Sequence, residues 1–206
     1  LPAEDINGQT WTVQTIQPGG AKFFATGSKK ESNFHVVDSE YRGLAALDAV
    51  TAIVIAEGYA TADTLSQALS CPVVAAFDSG NLLKVAQVLQ NKYPQKPIVI
   101  AGDDDLTQES INGKNPGKEK AMEAAQLVNG AVVLPIFAPG EQMSQQLSDF
   151  NDLANKSVLG IEAVKRQVGS VVEKVSQQAK QDSLLRLQAP IEPKQQEIKQ
   201  KRALIR

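Results

Sequence analysis

Ala52-Ile53-Val54-Ile55-Ala56-Glu57-Gly58 sets five apolar residues in a row before a single carboxylate. An unbroken, β-branched run of this kind marks a strand covered on both faces, because a half-exposed strand would alternate with polar residues. The pattern returns as Val73-Val74-Ala75-Ala76-Phe77, Pro97-Ile98-Val99-Ile100-Ala101 and Ala131-Val132-Val133-Leu134-Pro135. Between the runs lie stretches of helical spacing. Leu65, Ala68 and Leu69 share a side over about 61–69, Leu82, Val85, Ala86, Val88 and Leu89 near 81–91, and Ala121, Ala124, Ala125 and Val128 near 117–128. Strand and helix in this alternation predict an α/β fold, a parallel sheet flanked by helices.

Toward the N-terminus the character changes. Trp11, Val13 and Ile16, then Pro18-Gly19-Gly20, then Lys22-Phe23-Phe24 read as a β-hairpin, with Asp5-Ile6-Asn7-Gly8 as a further turn before it. Phe34-His35-Val36-Val37 reads as a short strand in which His35 has no catalytic duty, and 43–50 as a short helix or turn. After Asp149-Phe150-Asn151-Asp152 the spacing of Leu153, Leu159, Ile161, Val164, Val168, Val171 and Val175 is helical, and beyond about 176 the chain is rich in Gln and Lys. The expected organisation is therefore a β-rich element over 1–50, an α/β domain over 51–155 and a helical, partly flexible extension or linker over 156–206.

Composition narrows the chemistry. Of 206 residues, 42% are hydrophobic and 21% charged, enough to build a core, and no apolar run reaches the length of a membrane span. One cysteine, Cys71, excludes an internal disulfide and a Cys-cluster zinc site; one histidine excludes the zinc-protease helix. Carboxylates remain. Residues 1–150 carry 17 Asp and Glu against 10 Lys and Arg, whereas 151–206 carry 6 against 11, an acidic body with a basic tail. Such a body does not coat duplex DNA by charge; it suits a site that needs a cation. The chain begins at Leu1 with no signal-peptide pattern, which predicts a piece of a larger, cytoplasmic protein.

The acids fall where a parallel sheet gathers ligands, at the carboxyl ends of its strands. Glu57 follows the first strand, Asp78 in Asp78-Ser79-Gly80-Asn81 the second, Asp103-Asp104-Asp105 the third, and Asp149 and Asp152 the loop after the fourth. Neighbouring strand ends lie about 5 Å apart, so these acids should share one rim. Oxygen ligands without His or Cys select Mg2+, with Mn2+ as a substitute. If strand geometry continues, Asp103 and Asp105 point to one side and Asp104 away, with Glu57 as third ligand or general base. Plainer roles stand beside these: Asp78, Asp149 or Asp152 as helix caps, and the Asp triplet as a solvated turn.

These residues resemble the Toprim superfamily, the metal-dependent domain of bacterial-type primases, topoisomerases and some nucleases. The resemblance runs over about 51–155. It is carried by Glu57-Gly58-Tyr59, Asp103-Asp104-Asp105, the helix opened by Gly117 and Ala121, Leu134-Pro135, and Asp149-Phe150-Asn151-Asp152-Leu153. The hairpin through Gln14-Thr15-Ile16 and Gly20-Ala21-Lys22-Phe23, with Asp78-Ser79-Gly80-Asn81-Leu82, is most similar to the DNA primases of conjugative plasmids and phages. Two departures stand out: Thr61 occupies a position where many primases carry an acid, and Asn112-Gly113-Lys114-Asn115-Pro116 is inserted after the triplet.

The resemblance implies a Toprim (Rossmann-like) parallel sheet behind an N-terminal β-hairpin element. Asp103 and Asp105 would hold Mg2+, Glu57 would be the catalytic acid or base, and Asp78, Asn81, Asp149, Asn151 and Asp152 would make secondary metal or nucleotide contacts. It implies primer synthesis by nucleotidyl transfer, with single-stranded DNA and nucleoside triphosphates as partners and further helicase or relaxase domains in the parent polypeptide. Lys114, Lys118 and Lys120 are candidates for phosphate, unless they are a solvated helix start; Lys22, Lys29 and Lys30 for a template strand; Trp11, Phe23, Phe34 and Tyr59 for base stacking. The alternatives are a Toprim-type nuclease, a non-catalytic nucleic-acid-binding module of a relaxase, and a phosphotransferase with an aspartyl-phosphate intermediate.

Overall fold

The computed structural model describes residues 1–40 and 42–188; Tyr41 and the last part of the expected extension, 189–206, lie outside the described residues. Two sheets organise the chain. The first is antiparallel and three-stranded, β1 (Pro2–Glu4), β2 (Thr10–Ile16) and β3 (Lys22–Phe24), in that spatial order. The hairpin β2–β3 is the one expected. The pairing of β1 with β2 is not foretold by the sequence, because three residues are too few to show a period. The turn between them is tied by Asp5, whose Oδ1 accepts from the backbone N–H groups of Asn7 and Gln9.

The second sheet contains β4 (His35–Val37), β5 (Ile53–Ala56), β6 (Val73–Ala75), β7 (Ile98–Ala101) and β8 (Ala131–Val133), ordered β4-β6-β5-β7-β8. β5, β6, β7 and β8 are parallel, as expected. β4, from the N-terminal element, joins them at one edge and runs antiparallel to β6. A strand that enters from the N-terminal element needs no crossover helix, so it can lie antiparallel.

The apolar runs divide between two cores. Ile53, Ile55, Ile98 and Ile100 point to one face, where α2 (Ser79–Lys92) and α4 (Pro116–Leu127) bring Leu82, Val85, Leu89, Ala121 and Ala124. Val54, Ala56, Val99 and Ala101 point to the other, covered by α1 (Tyr59–Leu69), α6 (Phe150–Asn155) and α7 (Gly160–Gln188) through Leu65, Phe150, Leu153, Val164 and Val168. Both faces being dry is why these strands show no polar alternation. Cys71 is half-buried before Pro72 and β6, at the helix–strand junction expected for it.

Two short helices appear where the sequence reads as loop, α3 (Leu106–Asn112) and α5 (Glu141–Gln145). Neither has a buried residue, so neither could announce itself by an apolar stripe. A 3-10 helix, Gly43–Asp48, links β4 to β5. Among the described residues no helix is long and apolar enough to cross a membrane.

Topology places the site. After β5 the chain leaves to α1 on one face, and after the neighbouring β7 it leaves to α4 on the other. Connections diverging from adjacent parallel strands open a crevice at their carboxyl ends. The register pairs Ala56 with Ala101, so one step further sets Glu57 level with Gly102 and just short of Asp103.

Candidate active site

Glu57 and Asp103 flank that crevice. Burial holds both carboxyls above the usual carboxylate range, and their own charges add to the effect on Asp103. Asp103 is pushed up to about 8, first by burial and then by Glu57 and Asp149, with Asp152 adding to it. Its Oδ1 is buried and accepts no hydrogen bond among the described residues. A buried oxygen left without a donor costs about 1–3 kcal/mol, more when charged, so a fold that keeps one needs a reason. On Glu57 the backbone N–H of Ser79 and the Lys22 ammonium act in the opposite sense to burial.

Asp149 caps α6. Its Oδ1 accepts from the Asp152 N–H at 2.7 Å and its Oδ2 from the Thr61 hydroxyl at 3.2 Å. Burial nevertheless raises its pKa. The buried Thr61 orients a neighbouring acid. Asp152 accepts from the Ser148 N–H at 3.0 Å and pairs with Lys156 at 2.7 Å. Asn151 accepts from the hydroxyl of Thr64 at 3.0 Å. The cap and the site are thus one structure here: Asp149 serves α6 and still loads the rim with charge.

Asp78 and Asn81 hold the fold together, and the Asp78 charge also helps raise the Glu57 carboxyl. Asp78 caps α2 through the Asn81 N–H and forms an ion pair with Lys30. The buried Asn81 amide donates to the carbonyls of Ala76 and Asn33, each at 2.9 Å, and accepts from the Ser32 N–H. It staples the 30–33 segment to α2. Phe77, beside Asp78, has φ of 76°, a left-handed turn that redirects the chain from β6 into the cap.

The triplet divides by side chain. β7 closes at Ala101, so strand alternation does not carry through to Asp105. Asp105 instead caps α3, accepting from the Gln108 N–H at 2.8 Å. Asp104 accepts from Asn115 Nδ2 at 2.8 Å and faces Lys118 at 3.6 Å, while its own N–H bonds the Ser148 carbonyl. Asp103 alone of the three is turned into the crevice with Glu57 and Asp149 acting on it. Among the described residues, no three Asp, Glu, His or Cys side chains are gathered tightly enough as they stand to chelate one ion.

Of the candidate phosphate lysines, Lys118 is engaged with Asp104 and Glu109, and Lys120 with Glu123 at 2.7 Å. Lys114 is exposed in the turn between α3 and α4. The cation that reaches the rim is Lys22. A Cβ on Gly58 would lie 3.4 Å from its Nζ, and its charge acts on Glu57 and Asp103. The sequence offered Lys22 with Lys29 and Lys30 and had no means to separate them: Lys30 goes to Asp78 and Lys29 to the Trp11 ring.

Asn115 was legible only as part of an insertion, yet it is buried and ties that insertion down. It accepts from the Asp105 N–H at 3.2 Å, donates to Asp104 and Glu109, and caps α4 ahead of Pro116. An Asn before Pro at a helix start is the signal that points to it. Asn115→Ala is expected to lower the unfolding free energy by about 1–3 kcal/mol, since it removes a buried amide that caps α4, accepts from the Asp105 N–H and donates to two partly exposed carboxylates. Urea unfolding measures it; an unchanged midpoint would contradict the clasp.

A family model described as the Toprim domain matches residues 52–158. Two Escherichia coli proteins, each named DNA primase TraC, are 40% identical, one over 237 residues covering 88% of this chain and 16% of its own length, the other over 259 residues covering 98% and 24%. The chain therefore spans about a sixth and about a quarter of those relatives. Among solved structures, the primase fragment of the bacteriophage T7 primase-helicase protein superposes with a TM-score of 0.53 at 17% identity, covering 83% of this chain and 61% of that one, a likeness of fold.

Proposed function

The chain belongs to the Toprim domain family, related to DNA primases, and from that premise we propose that it is the Mg2+-dependent module of a plasmid- or phage-type primase. It would build RNA primers on single-stranded DNA by nucleotidyl transfer, within a longer polypeptide whose other domains include a helicase or relaxase. The observation that carries the reading is the unpartnered, buried Oδ1 of Asp103 between two further acids. The residues fit a hard divalent cation: the donors are carboxylate oxygens, and one already lacks a partner. Glu57 and Asp103 would hold it, with Asp149 nearest in effect. Asp105 would join them through the carboxylate oxygen that the Gln108 N–H does not engage.

When bound, the ion supplies charge neutralisation at the phosphates and eases ionisation of the attacking 3′-hydroxyl. Glu57 is the group placed to take that proton, at the carboxylate oxygen the ion would leave free. Lys22 screens incoming phosphate at the Gly58 edge. Asp149, held by Thr61, keeps the third wall of the rim acidic.

Incubating the chain with labelled ribonucleotides, single-stranded template and Mg2+ tests this. Template-dependent incorporation that EDTA abolishes is expected; strand cleavage without incorporation would favour a nuclease. Metal binding has its own readout. At a hundredfold excess over its Kd, a cation adds about 2.7 kcal/mol to stability, or roughly 5–10 °C for a chain of this size. A melting temperature unmoved by Mg2+ and Mn2+ at pH 8 would count against the site.

A further inference from the structure

The N-terminal sheet has two unlike faces. Its inner face carries the buried Thr12 and Gln14, with Lys22 and Phe24 alongside; Phe24 meets the Phe77 ring edge-on at 5.1 Å, and Lys22 reaches Gly58. Its outer face carries Trp11, Val13 and Thr15 on β2 and Phe23 on β3, directly opposite Thr15. Trp11, Val13 and Phe23 remain 46%, 51% and 53% exposed.

Large apolar side chains grouped on one exposed face mark a candidate interaction surface. The indole is held in place, its Nε1–H donating to Asp5 Oδ2 at 3.0 Å and the Lys29 ammonium standing 5.1 Å from its centroid. An oriented ring, a second aromatic along the same face and a cation beside them are the elements of a platform for unpaired bases. A protein partner would have to place a carboxylate against Lys29, whereas a nucleic-acid backbone brings an anion with every nucleotide.

We propose that this outer face is a docking surface for single-stranded nucleic acid, stacking one base on Phe23 and another, further along the strand, on Trp11 while Lys29 meets the backbone. The direction follows from the fold. β3 is an edge strand, and Lys22 and Phe23 are adjacent on it with opposite orientations. A strand lying on Phe23 and passing over that edge arrives at Lys22, Gly58 and Glu57. The anionic Asp5 closes the far end against phosphate. The placement rests on the reading of the rim as a nucleotide site; the stacking face does not need the rim to be active.

Trp11 is the only tryptophan in the chain, so it reports on its own surface. Oligothymidylate titrated into the 206-residue chain in EDTA should quench its fluorescence saturably. Phe23→Ala should weaken that binding about tenfold or more, as should Trp11→Ala read by anisotropy of a labelled oligonucleotide. Both side chains are exposed, and circular dichroism of each variant checks that the fold is kept. Lysine replacement of Val13, which adds charge without a ring, should tighten binding and steepen its salt dependence. No quenching, or unchanged affinity in both aromatic variants, overturns the proposal and points to a protein domain as the occupant. Quenching without primer synthesis would instead sink the catalytic reading and leave the platform standing.

Discussion

Asp103→Asn is expected to abolish the proposed nucleotide incorporation, by about 10³-fold or more, and to make the metal-free protein more stable at pH 8. The two effects share a cause. The folded protein holds the Asp103 proton up to about pH 8, whereas an unfolded chain releases it near the ordinary 3.8. Between those values the folded state binds more protons than the unfolded one, so stability falls as pH rises from about 4 to about 8 and is level above. Glu57 and Asp149, raised by burial, add to the same slope.

An amide has no charge to lose. The variant removes the largest part of that slope and gains on the order of 2 kcal/mol or more at pH 8, one unit of displaced ionisation being worth about 1.4 kcal/mol. It also loses the metal-induced rise in melting temperature. Melts from pH 4 to 9 in EDTA decide it: a flat wild-type profile, or an Asn variant less stable than wild type at pH 8, contradicts the strained acid.

Gly102→Ala is expected to do the opposite to stability while also reducing activity. A Cβ at 102 would stand 2.5 Å from the Ala121 Cβ and 3.0 Å from Leu134 Cδ2. The first of these is a methyl fixed to the backbone of α4, so the helix itself must move. Overpacking of this kind costs about 1–3 kcal/mol, and with no flexible end to yield the upper figure applies, a loss of roughly 6–12 °C. The site moves with α4, because a Cβ on its Gly117 would already lie 3.0 Å from the Asp103 Cβ. Combining Gly102→Ala with Ala121→Gly removes the clash and should recover much of the stability, less about 1 kcal/mol for glycine within a helix. A single variant that melts like wild type would show that this contact is slack.

The two variants separate what was legible in the sequence from what was not. Glu57 and Asp103 could be placed together because each follows an apolar run whose burial on both faces is written in its composition. The split of roles inside Asp103-Asp104-Asp105 could not. It is made by Asn115, which binds Asp104 and the Asp105 N–H from ten or so residues away after α3 has turned the chain back. Nor could Lys22 be told from Lys29 and Lys30, since only the pairing of β2 with β3 decides which lysine faces the rim. Asp78 and Asn81 look alike in sequence whether they meet a nucleotide or hold a loop. The structure supplies Lys30, Asn33 and Ala76 as their partners.

A crystal of the chain grown or soaked with Mn2+ and measured for anomalous scattering tests the central claim most directly. A peak within coordination distance of both Glu57 and Asp103, with the Oδ1 of Asp103 among the ligands, is the predicted result. A peak elsewhere, or none at saturating Mn2+ with that oxygen still without a partner, would contradict it.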